Sequence, residues 1–179
     1  MISKWLKFGV LTLCGAALVH WAAIAYAPEV IMGRVLAALA EQGEHTIAHA
    51  ERSTAASRRI VRPSPDLLYS TCLFDVSRHP LKVTTAAPIG TYWSVAFYAA
   101  NTDNFFVLND SQAKGIPATI VIAGRGQTVG PQGPGVIVVS APTDKGLVLF
   151  RTLINNDTRP AELDQQRRAA KCEALVAVD

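Results

Sequence analysis

The chain has 179 residues, half of them apolar and only 17% charged, with a formal net charge of +3. That length holds one domain plus an appendage. Lys4 and Lys7 supply most of the excess charge, since the rest of the chain has 15 basic against 14 acidic residues. No basic face survives, which argues against a nucleic-acid partner.

The first element is apolar. Phe8 to Ala27 carries no formal charge over 20 residues, and as a helix it rises about 30 Å, the thickness of a bilayer's hydrocarbon core. Trp5, Trp21 and Tyr26 lie near its ends, where amphipathic rings favour the interface. Lys4 and Lys7 precede the span, and only Arg34 follows soon after, among Glu29, Glu41 and Glu44. The positive-inside rule therefore predicts a single-pass inner-membrane protein, its N-terminus cytoplasmic and its main domain periplasmic. A cleaved signal peptide is the rival reading, because Ala23-Ile-Ala25 and Ala25-Tyr-Ala27 fit the small-x-small pattern. The apolar core is longer than the roughly 7–15 residues usual for such signals, so residues 1–27 read as a retained anchor. His20 reads as a neutral imidazole, since a single span has no second helix to complete a proton relay.

Residues 28–61 have helical composition, with Val30, Ile31, Val35, Leu36 and Leu39 at helical spacing and fraying toward Arg58 and Arg59. The spacing predicts a helical connecting segment. His45 and His49 would share one helix face, but no Cys or carboxylate completes a metal set there.

Arg62-Pro-Ser-Pro65 ends that region and opens the main domain, residues 62–179. Strand signals follow at Leu68–Val76, Leu81–Thr85, Tyr92–Ala99, Phe105–Leu108, Ala118–Ala123, Val136–Ser140 and Gly146–Ile154. From Tyr92 to Ala99 the side chains alternate: Trp93, Val95 and Phe97 share one face, while Tyr92, Ser94, Ala96 and Tyr98 share the other. Asn101-Thr-Asp-Asn104 is the turn of this hairpin. Short strands without intervening helices predict a mainly β domain, an antiparallel sandwich or jelly-roll-like barrel. Pro160 to Val176 then predicts a C-terminal helix, with proline in its first turn and acids before bases. Gly124 to Gly135 lacks the Gly-Lys-Ser/Thr ending of a phosphate loop and reads as a surface loop.

Of three cysteines, Cys14 lies in the apolar span. Cys72 and Cys172 are the pair in the exported part, and an oxidising compartment favours a disulfide pinning the last helix onto the first strand; two buried thiols are the alternative.

Ser64-Pro-Asp-Leu-Leu-Tyr-Ser-Thr-Cys-Leu-Phe-Asp-Val76, Tyr92-Trp-Ser-Val-Ala-Phe-Tyr98 with Asn101-Thr-Asp-Asn-Phe105, and Gly146-Leu-Val-Leu-Phe-Arg-Thr-Leu153 together resemble the domain-of-unknown-function 1254 family, from about Arg62 to Cys172. The chain looks like the short, membrane-anchored bacterial form. The resemblance implies a β-rich sandwich and a partner similar to the companion family numbered 1214. It implies no activity.

The family-like motifs gather polar residues on a few strands. Arg151 interrupts an apolar strand and must be paired if buried. Asp66, Asp75 and Asp103 are the available partners. With Tyr69, Tyr92, Tyr98 and Asn104, Asp66, Asp103 and Arg151 make a candidate pocket for a carboxylate or phosphate ligand; the plainer reading is a structural ion pair. Ser94, His79 and Asp75 make a triad only on paper, and no Gly-x-Ser-x-Gly elbow occurs. No metal set or cofactor motif is read. The sequence thus points to a non-enzymatic envelope domain that binds a partner protein or small ligand. The competing reading is a hydrolase or metal-dependent enzyme using the Tyr/Asp/Arg cluster.

Overall fold

The computed structural model describes residues 2–58, 62–155 and 160–175. Its first element is one long helix, α1 (Ile2–Leu39), followed by a short 3-10 turn at Ala40–Gln42. Among the described residues nine strands and one further helix follow: β1 (Ile47–His49), β2 (Leu67–Asp75), β3 (Leu81–Thr84), β4 (Trp93–Ala99), β5 (Asn104–Asn109), β6 (Thr119–Ala123), β7 (Val136–Ser140), β8 (Lys145–Leu153), α2 (Pro160–Arg167) and β9 (Lys171–Ala174). They form two sheets, a five-stranded one ordered β1-β2-β8-β4-β5 and a four-stranded one ordered β7-β6-β3-β9. The mainly β sandwich expected from the strand signals is present. One pair departs from the antiparallel expectation: β7 runs parallel to β6, because the Gly124–Gly135 loop carries the chain back before β7 begins.

The core lies between the sheets. Cys72 and Phe74 of β2, Val95 and Phe97 of β4, Ile120 and Ile122 of β6 and Val148 of β8 are almost wholly excluded from solvent. Alternation puts these side chains on the inner faces. At the β4–β5 hairpin the pattern breaks usefully. Tyr98 pairs with Asn104 while Phe97 pairs with Phe106, a bulge that leaves Phe105 as the extra residue. Both phenylalanines thereby reach Phe97, at ring distances of 6.1 and 5.6 Å.

The expected helical connection is corrected in two places. Helix continues only through Gln42, after which Ile47–His49 pairs with Ser70–Cys72 as an edge strand of the larger sheet. Local helical composition loses there to the ladder that β2 offers. His45 and His49 consequently do not share a helix face. The C-terminal helix is also shorter than expected, ending at Arg167, and Cys172 sits on β9 in the smaller sheet. Arg59, at the foot of the expected connecting helix, and Val176, at the end of the expected terminal helix, lie outside the described residues.

Cys72 and Cys172 form the disulfide, 100 residues apart in sequence. Its partners are strands of different sheets, so it staples the sandwich face to face at the β2/β9 side instead of pinning a helix to a strand.

The 38 residues of α1 span about 57 Å. The side chains described from Ser3 to Ala27 are almost all exposed, whereas Pro28, Met32, Val35, Leu36 and Leu39 form a stripe withdrawn from solvent, with Met32 at 5% exposure. This end of the helix lies on the outward face of the larger sheet: Gln42 Oε1 accepts a bond from the Thr71 hydroxyl at 3.2 Å, and Leu39 and Tyr69 line the same groove. Leu73, Ser94, Ala96 and Leu147 point to that outward face and are nevertheless buried. β4 is thus buried on both of its faces.

Reducing the disulfide, or replacing Cys72 and Cys172 together by alanine, is expected to lower stability by about 4–5 kcal/mol on the chain-entropy account of a loop this long. Urea unfolding with and without reductant measures it, and equal midpoints would contradict the stapling role.

Candidate functional site

Of the residues expected to form a pocket, the structure unites Arg151 and Tyr98. Arg151 donates from Nη2 to the Tyr98 hydroxyl at 2.9 Å. Tyr98 stands four residues along β4 from Ser94, the direct neighbour of Arg151, so the two long side chains lean toward each other over about 13 Å of sheet. Tyr69 lies beside Arg151 on the other flank, but its hydroxyl accepts the backbone N–H of Ser64 at 3.0 Å. Tyr92 is 41% exposed.

The acidic members do not join them. Asp66 is exposed at the start of β2, with its carbonyl accepting from the N–H of Ile154. Asp103 is engaged with Asn101 inside the hairpin turn, and the Asn104 amide donates to the Phe97 carbonyl at 3.2 Å. Asp75 pairs with Lys145 at 3.1 Å at the far end of β8. Among the described residues no carboxylate lies within ion-pair distance of Arg151. The paper triad is not assembled either: Asp75 and His79 line one cleft, while Ser94 sits opposite Arg151, six residues or about 20 Å along β8 from Lys145.

The buried cation is a residue that the sequence reading passed over. Arg167, the last residue of α2, is 4% exposed. Its Nε donates to Asp164 Oδ1 at 2.8 Å and its Nη2 to the same oxygen; Nη1 serves the Tyr69 carbonyl and the Ser70 hydroxyl, and Nη2 the Ala50 carbonyl at 2.7 Å. All five guanidinium donors are thus used. Asp164 also receives Arg168 Nε at 2.9 Å. Burial would push the Asp164 carboxyl up, but its bonds and charges from Arg167 and Arg168 outweigh that and hold it below the usual range. The sequence offered one clue, the Asp164–Arg167 spacing of three on a helix. Nothing distinguished Arg167 from Arg168.

Ser70, 2% exposed, receives Arg167 and lies 2.9 Å from His49 Nδ1. With the guanidinium donating to Ser70, the hydroxyl proton is free to point at Nδ1 of a neutral imidazole. Burial, reinforced by the charges of Arg167 and Arg168 and opposed by Asp164, lowers the His49 pKa. Serine beside histidine here is not a nucleophile. The hydroxyl is sealed between strand and guanidinium, and attack needs an accessible oxygen with room for a substrate. A shallow cavity of about 230 Å³ borders His49, Leu68 and Asp164.

A second polar cluster closes the opposite end. His45 Nε2 lies 3.1 Å from the Asp75 carbonyl and 3.2 Å from its N–H, and Lys145 adds Glu44 at 3.8 Å. Burial would raise the Asp75 carboxyl, yet its bonds from Ser77 and Lys145 leave it lowered. This cluster ties the chain leaving α1 to the end of β2. Among the described residues no group of three or more His, Cys, Asp or Glu side chains is arranged to hold a metal ion.

Two measurements follow from the buried network. Arg167→Met should cost about 3 kcal/mol, because it strands two carbonyls, a hydroxyl and Asp164; a loss below about 1 kcal/mol in denaturant titration would contradict the network. His49, with its folded pKa depressed, contributes fully above its unfolded pKa of about 6.5 and loses that contribution as pH falls from there toward the folded value. Thermal midpoints should therefore begin to drop below about pH 6.5, and His49→Gln should flatten that part of the profile.

The sequence profile of the family described as "Protein of unknown function (DUF1254)" matches residues 45–174. That span begins two residues before β1, the strand that composition hid. No curated protein matches the chain. Among solved structures, the VPA0106 protein of Vibrio parahaemolyticus is similar at a TM-score of 0.66 and 12% identity, over 84% of this chain and 35% of that one. An uncharacterized protein from Burkholderia cenocepacia is similar at 0.47 and 16% identity, over 83% of this chain and 42% of that one. The chain therefore spans about a third of the length of the Vibrio protein, with which it shares the fold.

Proposed function

The chain belongs to the DUF1254 family, and from that premise we propose that it is a membrane-anchored envelope protein whose β-sandwich binds a partner protein and carries out no catalysis itself. The observation that carries this reading is the division of α1. Its exposed part is apolar over a bilayer's thickness, and its last turns carry a stripe withdrawn from solvent without a break in the helix. Such a helix anchors and positions at once. Lys4 and Lys7 ahead of the span support a cytoplasmic N-terminus and a periplasmic sandwich in a single-pass inner-membrane protein. The Cys72–Cys172 disulfide supports the same side of the membrane, because such bonds persist in oxidising compartments.

The interior supports binding without chemistry. Arg167, Ser70 and His49 spend their hydrogen-bonding capacity on each other and on backbone, and the acidic residues of the expected pocket are held at separate places. A partner similar to the companion family numbered 1214 fits this role.

Fractionation of cells expressing the full chain tests the anchor. The protein should stay in carbonate-washed membranes at full mass, and protease added to spheroplasts should remove the sandwich. A mature product beginning at Pro28, or release by carbonate, would show a cleaved export signal in place of an anchor.

A further inference from the structure

Arg151 and Tyr98 stand on the outward face of the larger sheet, and both are half-buried. Among the described residues, the 2.9 Å bond from Arg151 Nη2 to the Tyr98 hydroxyl is the one hydrogen bond or ion pair that either side chain makes. A guanidinium carries five N–H groups and accepts nothing, so most of its donors meet no protein group. The Tyr98 oxygen accepts from Arg151, and its own proton therefore points elsewhere. No acceptor among the described residues receives it. With the two groups 2.9 Å apart, one small acceptor can reach donors of both. Arg167 is the contrast, its donors meeting two carbonyls, a hydroxyl and Asp164. Withdrawing a guanidinium part-way from water without an anion is unfavourable, and a neutral phenol replaces little of the lost hydration.

The surroundings define what would fit. Across the ladders Arg151 is flanked by Tyr69 and Ser94, and along its own strand by Leu149 and Leu153 on the same face. Tyr98 is flanked by Leu147 and Asn104. All six are uncharged. The place thus offers one positive charge in a planar fork and one phenolic donor. A carboxylate matches it, with a single charge and two coplanar oxygens. A phosphate dianion would leave its second charge without a cation.

We propose that Arg151 and Tyr98 form a carboxylate clamp, in which Arg151 donates its spare N–H groups and Tyr98 its hydroxyl proton to one carboxylate. An acidic side chain of a partner protein and a free organic acid present the same group. The first gives the chemistry of the partner and rests on the partner-binding reading above; the second stands without it.

The test uses the full chain in detergent, labelled with 15N in arginine and 13C in tyrosine, and titrated with sodium acetate against sodium chloride at equal ionic strength. The Arg151 Nε–H and Tyr98 ring signals, assigned by their loss in Arg151→Lys and Tyr98→Phe, should shift along a saturating curve with acetate and not with chloride. Inorganic phosphate should bind more weakly than acetate. Arg151→Lys keeps the charge and loses the fork, and should weaken acetate about tenfold as read at Tyr98. Tyr98→Phe should weaken it about threefold or more as read at Arg151, with the thermal midpoint retained. Should Arg151→Lys fail to fold, Tyr98→Phe carries the test. Acetate passed over the full chain captured from cells should release the natural carboxylate, read by mass spectrometry as a small acid or an acidic polypeptide, and release none from Arg151→Lys. No saturating shift, an equal response to chloride, phosphate bound more tightly than acetate, or acetate binding indifferent to both variants would each overturn the proposal. Acetate binding needs no partner, so its failure and the failure of the partner-binding reading are distinguishable.

Discussion

Strand β2 is the member on which the rest of the fold depends. It pairs with β1 on one side and with all nine residues of β8 on the other. Its inner face holds Cys72, covalently bound across the sandwich to β9, and Ser70, which receives the buried guanidinium of Arg167. Its outward face gives Thr71 to Gln42. Four segments far apart in sequence, the end of α1, β1, α2 and β9, are fixed by contacts within this one strand. The placement explains how such short elements persist. A three-residue strand such as β1 has no stability of its own, and a helix of about two turns is marginal in water. Each is retained through the bonds that β2 offers it.

The outward face of the larger sheet is where the end of α1 meets the domain. Ser94, Ala96 and Leu147 on that face are buried, and Met32, Val35, Leu36 and Leu39 of α1 are likewise withdrawn from solvent. Small residues at 94 and 96 let a helix approach closely; bulkier side chains there would hold it off. Pro28 sits where exposed apolar surface gives way to docked surface. Lacking a backbone N–H, it weakens the helix at that boundary.

Much of the domain was legible in the sequence because period-2 alternation survives wherever one face meets the core. Val136–Ser140 was read with its observed bounds, and the faces of β4 were assigned correctly to Trp93, Val95 and Phe97 on one side and Ser94, Ala96 and Tyr98 on the other. The losses have physical causes. β1 and β9 lie in alanine-, glutamate- and lysine-containing runs whose local preference is helical, and their strand state comes from ladders to β2 and β3. Alternation carries no information about direction, so the parallel course of β7 was invisible. The candidate site fared worse. Arg151 stood out as a charge in an apolar strand, yet the buried cation is Arg167, one of two adjacent arginines that the helix turns apart: its side chain is 5% exposed, while that of Arg168 is 53% exposed.

Where hydrogen-bonding capacity remains unspent is the better guide to function. Inside the sandwich it is almost exhausted: Arg167 uses five donors, His49 and Ser70 are joined, and Asp75 is held by Ser77 and Lys145. Among the described residues the buried side-chain polar atom left without a partner is Asp110 Oδ1, just beyond β5. The unspent capacity lies along the backbone of β7, where paired donors and acceptors repeat at the strand spacing beside partly covered core side chains. The edge that the disulfide and Arg167 brace and the edge left open at β7 thus lie on opposite sides of the same sandwich.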